Sequence, residues 1–296
     1  MTSGSAGPVE RIIIAPGERR PAVVHVINSA RTRLSLSLFR CDDEAVLDAL
    51  AAAVRRGVHV RALLTSRAKG SKAQLKHLEV FLRTLGADVR RYSDLVVRYH
   101  AKYIVAEDGP ACIASLNFTR KCFDATCDFV LMTSDADVVT GLTRLFDADW
   151  RGTASDVPGG TTHRLIVGPE HARRRFAALF ESAVHRIRII DPKIDDPAML
   201  TLLKAREAAG IKVEIRRTER MGALVPHGKL LLIDDASAVI GSISLSMMAL
   251  EFRRELAIVT CDAASVAALD EFWCALPPVL TGGAGGVVPG DSPLLA

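Results

Sequence analysis

Four residue types recur at one spacing in the two halves of the chain. His100, Lys102, Ser115 and Asp128 are matched by His227, Lys229, Ser242 and Glu255, each pair 127 positions apart. Only nine Lys occur among the 296 residues, so a double match at fixed spacing is poorly explained by chance. A His and a Lys two positions apart on a strand face the same side, and both can point at one anion. Their alternation partners Tyr103, Val105, Leu230 and Leu232 then face the core. The Ser that ends the next strand offers its hydroxyl and neighbouring backbone N–H groups to a phosphate oxygen. The carboxylate on the strand after that can hold the second ring nitrogen of a His, fixing its tautomer and raising its basicity. Each half therefore supplies half of an anion-binding site.

The elements that must position these residues are repeated too. RIIIAPGE from Arg11 corresponds to RLIVGPE from Arg164, and the strand LSLSLF from Leu34 to IRII from Ile187. DDEAVLDALAAAVRRGVHVRALLT from Asp42 and DDPAMLTLLKAREAAGIKVEIRRT from Asp195 each read as an acidic N-cap, an amphipathic helix, a Gly stop and an apolar strand. These are βαβ units, and they predict an α/β fold of two tandem halves, each a mixed, mostly parallel sheet flanked by helices. The later part of each half is richer in strands and closes on a helix ending near Trp150 or Trp273. The expected organisation is a first repeat over 1–150, a Gly, Pro and Thr-rich linker over 151–163, a second repeat over 164–280 and a disordered tail over 281–296. Between Thr65 and Tyr99 the first half carries an insertion with a helix expected from about Gln74 to Leu85, which either shapes access to the site or covers a sheet edge.

Composition bounds the function. With 49% hydrophobic and 24% charged residues the chain is globular rather than disordered. No apolar run approaches the roughly 18 to 20 residues that cross a bilayer, and Met1 to Glu10 lacks the basic-then-apolar order of a signal peptide, so a cytoplasmic location is expected. The six Cys are scattered without a CxxC pair, which indicates neither a disulfide framework nor a zinc site. A net charge of +4 favours anionic partners without announcing a nucleic-acid binder.

The paired motifs resemble the phospholipase D superfamily, whose pattern is HxKxxxxD followed after six residues by GSxN. HAKYIVAEDGPACIASLN from His100 fits it with Glu107 in the Asp position and Ala114 in the Gly position; HGKLLLIDDASAVIGSIS from His227 keeps Asp234 and Gly241 but has Ser244 for Asn. The resemblance implies two halves about a pseudo-twofold axis and a two-step reaction without metal or other cofactor. His100 would be the nucleophile that forms a phosphohistidine and His227 the acid. Lys102, Lys229, Asn117 and the hydroxyls of Ser115, Ser242 and Ser244 would neutralise the phosphoryl oxygens, with Asp128 and Glu255 orienting the imidazoles. Glu107 and Asp234 would be structural.

The superfamily spans phospholipases D, cardiolipin and phosphatidylserine synthases, and nucleases. A single chain with both motifs points first to hydrolysis or transfer of a phosphatidyl group, at a site peripheral to a membrane surface. The alternative substrate is nucleic acid, supported by Lys69, Lys72, Lys76, Arg83, Arg90, Arg91 and Arg98 and then Arg216, Arg217 and Arg220, although aromatic residues for base stacking are only 5% of the chain. The same basic residues suit an anionic membrane. A third reading is a phosphate-binding protein whose catalysis is impaired by Ser244. Glu251, Arg253 and Arg254 read as solvated charges.

Overall fold

A computed structural model describes residues 9–67, 72–153 and 163–277; the expected tail and residues 154–162 of the expected linker lie outside the described residues. The first half contains β1 (Glu10–Ile13), α1 (Pro16–Ser29), β2 (Arg33–Leu38), α2 (Glu44–Arg55), β3 (His59–Leu64), α3 (Lys72–Leu85) and β4 (Asp88–Arg91). It continues through β5 (Arg98–Tyr99), β6 (Tyr103–Ala106), β7 (Ala111–Ala114), α4 (Arg120–Asp124), β8 (Thr126–Cys127), β9 (Val130–Thr133) and α5 (Ala136–Arg151). The second half repeats this order with β10 (Leu165–Gly168), α6 (Ala172–Ser182), β11 (Arg186–Ile190), α7 (Pro197–Ala208) and β12 (Lys212–Arg216). Then follow β13 (Val225–Pro226), β14 (Leu230–Ile233), β15 (Ser237–Gly241), α8 (Met247–Phe252), β16 (Arg253–Thr260) and α9 (Ala263–Ala275).

The crossover helices begin and end where the sequence signals them. Asp43 accepts the Val46 N–H and starts α2, and Asp196 accepts the Met199 N–H and starts α7, filling donors that a helix N-terminus otherwise leaves open. Gly57 and Gly210, both at positive φ, turn the chain out of these helices into β3 and β12. One face of each helix is apolar and lies on the sheet it crosses.

Strand order in the first sheet is β1-β9-β7-β6-β2-β3-β4, and in the second β10-β16-β15-β14-β11-β12. The sheets are mixed, and within each half the parallel pairs are those of the βαβ units: β2–β3, β3–β4 and β11–β12 are parallel. The pairs β1–β9, β9–β7, β7–β6 and β6–β2, and their counterparts in the second sheet, are antiparallel. The expectation of mostly parallel sheets therefore overstates the parallel share; β6–β7 and β14–β15 are joined by turns too short for a crossover. The insertion contributes α3 and also β4, which lengthens the first sheet beyond its repeat.

Strand alternation divides the apolar residues into three layers. Leu34, Leu36 and Ile104 meet the helices of the first half, and Ile187, Ile189 and Leu231 meet those of the second. Between the sheets Tyr103, Val105, Ile113 and Leu131 pack with Leu230, Leu232, Ile240 and Ile258 in one shared core. Burying both faces of each sheet holds the halves as one body and brings equivalent strand ends together.

Candidate active site

Two short strands cross between the halves and set the site. β5 pairs in parallel with β16 of the other half, Arg98 opposite Arg253 and Tyr99 opposite Arg254. β13 pairs in parallel with β8, Val225 opposite Thr126 and Pro226 opposite Cys127. One step further along each register, His100 stands beside Glu255 and His227 beside Asp128. The His100 N–H donates to the Arg254 carbonyl at 2.8 Å and the Gly228 N–H to the Cys127 carbonyl at 2.7 Å, which pins both segments. The imidazole contacts follow: His100 Nδ1 lies 2.8 Å from Glu255 Oε1, and His227 Nδ1 lies 2.9 Å from Asp128 Oδ2. A buried carboxylate accepts, so Nδ1 carries the hydrogen and Nε2 is left with the basic lone pair. Each acid thus holds the His of the opposite half, an exchange that no local spacing discloses.

His100 and His227 both line one cleft of about 140 Å³ with Asn117, Lys229, Ser242 and Ser244, and its wall also includes Phe39, Arg40, Lys193, Pro226 and Arg253. The HxK segments lie between strands rather than within them. Lys102 Nζ donates to the His100 carbonyl at 2.6 Å and Lys229 Nζ to the His227 carbonyl at 2.7 Å, so each Lys closes a small loop under its His.

Residues 23–150 match the family described as cardiolipin synthase, PLD-like domain. Cardiolipin synthase A from one Pseudomonas putida strain is 26% identical over 168 residues, covering 56% of this chain and 34% of that protein. The same enzyme from a second strain is 28% identical over 170 residues, again 56% and 34%. Phosphatidylserine synthase of Haemophilus influenzae superposes with a TM-score of 0.71 at 12% identity, covering 90% of this chain and 85% of that one. The first half of the chain is thus similar to a PLD-like domain, and the chain shares the fold of that synthase. Polyphosphate kinase from Porphyromonas gingivalis shares the fold, with a TM-score of 0.73 at 18% identity over 88% of this chain and 46% of that one. The match spans about a third of the length of the two cardiolipin synthases.

Within this cleft the two imidazoles stand in unlike surroundings. Asp128 is fully buried, a condition that by itself opposes ionisation. His227 and hydrogen bonds from His227, Ser115 and Thr126 outweigh that and hold its pKa below the usual carboxylate value. Ser115 Oγ donates to it at 2.6 Å and Thr126 Oγ1 at 2.5 Å. Glu255 has fewer partners: its Oε2 is buried without one among the described residues. Burial raises its pKa, and Lys102, Arg253 and Lys229 offset only part of the rise. His100 is held well below the ordinary imidazole value, by burial first and then by Lys102, Arg253, Lys229 and His227. Phe39 meets its ring edge-on at 4.5 Å between centroids. Lys102 is buried beneath the site, and desolvation lowers its pKa well below the usual Lys value against the opposing pull of Glu255.

Several sequence expectations change here. Ser115 was expected on phosphate; its hydroxyl instead donates to Asp128 and accepts the Phe129 N–H, inside the protein. Ser244 Oγ donates to Asp191 at 2.8 Å, so the hydroxyl standing where Asn is usual is already committed. Ser242 remains at the cleft but is tied to the Leu256 backbone. Both hydroxyls are drawn inward because a buried carboxylate is a stronger acceptor than solvent can replace. Arg253, Arg254 and Glu251 are not a solvated group: Arg253 faces the cleft, Arg254 is buried against Asp149, and Glu251 pairs with Arg173. Of the basic track, Arg83 and Arg91 are paired with Glu79, and Arg216 is buried over Trp273; Lys69 lies outside the described residues. Glu107 pairs with Arg33 at the surface, and Asp234 accepts the backbone N–H groups of Val184, His185 and Arg186.

Sequence reading missed Phe39, Asp191 and Lys193. A signal for Lys193 exists: it occupies the place after β11 that Arg40 occupies after β2, so both halves put a cation there. Among the described residues, Cys122, Asp128 and His227 offer ligand atoms within 4.8 Å of one another, but Asp128 is already held by three side chains.

Proposed function

We propose that the chain is a phosphodiesterase that hydrolyses or transfers the phosphatidyl group of phospholipids through a covalent phosphohistidine, without a metal. The crossed imidazole–carboxylate contacts opening on one cationic cleft carry this reading. Nε2 of His100 attacks phosphorus; a P–N bond forms as the P–O bond to one alcohol breaks, and the departing oxygen takes a second proton that His227 carries on Nε2 at the start of the step, beside the one on Nδ1. Water or an acceptor alcohol then gives its proton to His227 as its oxygen bonds to phosphorus, the P–N bond breaks, and His100 returns uncharged. The depressed pKa of His100 suits the nucleophile, and the ionised Asp128 beneath His227 suits a proton donor, since unlike surroundings separate two otherwise equal groups. Lys229, Lys193 and Arg253 counter charge on the phosphoryl oxygens, with Lys102 adding field from below.

The lipid assignment rests on the cardiolipin synthase match and on an apolar rim. Leu95 is 89% and Val96 62% exposed shortly before His100, and Phe252, next to Arg253, is 39% exposed. The parallel register that sets Arg98 opposite Arg253 places Val97 and Phe252 side by side, next to a residue that lines the cleft. An apolar edge beside a cationic cleft fits an anionic membrane better than a nucleic-acid backbone.

The test is cleavage of bis(p-nitrophenyl) phosphate in EDTA by the wild type and by His227→Asn. Nitrophenol leaves without an acid, so the variant should accumulate a phosphoryl adduct on the peptide holding His100, read by mass spectrometry; an adduct on no His, or loss of wild-type activity on chelation, overturns the mechanism. Phosphatidylglycerol vesicles and single-stranded DNA offered side by side decide the substrate, and cleavage of DNA alone overturns the lipid reading.

A further inference from the structure

The cleft continues into a second pocket. This pocket, about 280 Å³, shares Phe39, Arg40, Asn117, Pro226 and His227 with the cleft. Its far wall is α3, through Gln74, Leu75 and Leu78, and its floor includes Cys41, Cys122 and Val225. Among the described residues the second half has no counterpart of α3, since β12 passes to β13 without a helix. The insertion therefore makes the two flanks of the site unlike, and the enlarged flank is that of His227.

Its lining is amphipathic. Leu75 and Leu78 are buried, whereas Gln74, Asp42 and Lys121 are exposed at the rim, and Asn117 Oδ1 is buried without a partner among the described residues. Such a surface takes a short carbon skeleton bearing hydroxyls. The volume lies at the lower edge of small-ligand pockets, roughly 300–1,000 Å³, and leaves no room for two acyl chains.

We propose that the pocket walled by α3 is the subsite for one alcohol arm of the phosphodiester, the arm protonated by His227, and that Gln74, Leu75 and Leu78 restrict this arm to a compact alcohol. The proposal rests on the two-step reading above. By microscopic reversibility an acceptor alcohol enters where the leaving alcohol departed, so the same wall selects acceptors. The acyl-bearing arm is left outside this pocket, whose lining includes none of the exposed apolar residues Leu95, Val96 and Phe252.

Partition between water and added alcohol tests the subsite, because the ratio of transfer to hydrolysis is set after the first step. With bis(p-nitrophenyl) phosphate as donor, the acceptors are ethanol, glycerol and cyclohexanol. Gln74→Trp, at an exposed position, should lower the ratio about tenfold for glycerol and cyclohexanol and leave that for ethanol nearly unchanged. Leu78→Ala should raise the ratio for cyclohexanol. Equal changes for all three acceptors, no change in either variant, or no transfer by the wild type to any of them would overturn the subsite. Failure of the wild type to cleave the donor at all would instead overturn the proposed function.

Discussion

At the scale of the residue, burial and the cations Lys102, Arg253 and Lys229 all act against a proton on His100, and its pKa falls well below that of a free imidazole. The sign of the consequence for stability is fixed. Below about pH 6.5 the unfolded chain takes up a proton on this His that the folded chain refuses, so stability declines as pH drops from about 6.5 toward the folded value, and then declines no further on this account. Replacing His100 by Gln removes the increment. Denaturant midpoints measured from pH 7 to 5 should therefore fall more for the wild type than for His100→Gln, and identical slopes would show that the imidazole is not held neutral. In activity the same depression keeps the nucleophile unprotonated, placing the acid limb of kcat/KM below the ordinary imidazole range.

At the scale of the element, the crossing strands β5 and β13 matter out of proportion to their two-residue lengths. Gly228 shows how tightly one of them is seated: a Cβ there would lie 2.6 Å from the Cys127 carbonyl oxygen and 3.0 Å from both Asp128 Cα and Ser115 Oγ. Most of this is backbone that cannot rotate away, so Gly228→Val must push β13 off β8 and carry His227 from Asp128. The expected result is a fall in kcat of about a hundredfold with affinity for inorganic phosphate little changed, the signature of a misplaced catalytic group; an unaltered kcat would mean that the β8–β13 ladder does not position the ring. The position also marks where the sequence stops being legible. Its counterpart Ala101 is a buried methyl in the first half, so the middle residue of the HxK motif reads as free although the second half requires Gly. The repeat, the βαβ helices with their Asp caps, and the alternation of Tyr103 and Val105 were readable because they depend on local period and spacing. The exchange of acids between halves was not, because a two-residue ladder has no pattern of its own and its partner lies some 150 residues away. The inward turn of Ser115 and Ser244 was hidden for a related reason: whether a hydroxyl faces an anion or a buried carboxylate depends on Asp128 and Asp191 being brought behind it by tertiary packing.

At the scale of the molecule, the contacts that join the halves include the shared apolar layer and a buried ion pair. Arg254 of β16 donates from Nε to Asp149 of α5 at 2.8 Å, both side chains fully enclosed, and reaches the partly exposed Glu170 from Nη1 at 2.9 Å. Removing the acid leaves a guanidinium with much of its charge uncompensated in the interior. Asp149→Ala is expected to lower unfolding stability by about 3–5 kcal/mol, toward the lower figure because Glu170 remains, and Asp149→Leu combined with Arg254→Met should recover most of the loss. Urea denaturation of the three proteins checks this; a silent Asp149→Ala would mean that the pair contributes nothing to holding the halves together.

The exchange of carboxylates also bears on why the two arms sit in one polypeptide. Two identical chains built on the same crossing would carry interchangeable imidazoles, and which of them attacked would be settled afresh at every encounter. Fusion allows a replacement to fall on one arm alone: Asp191 stands against Leu38, Arg253 against Thr126, Ser244 against Asn117. A division of labour between attacker and proton carrier can then be inherited instead of being decided by chance at each turnover.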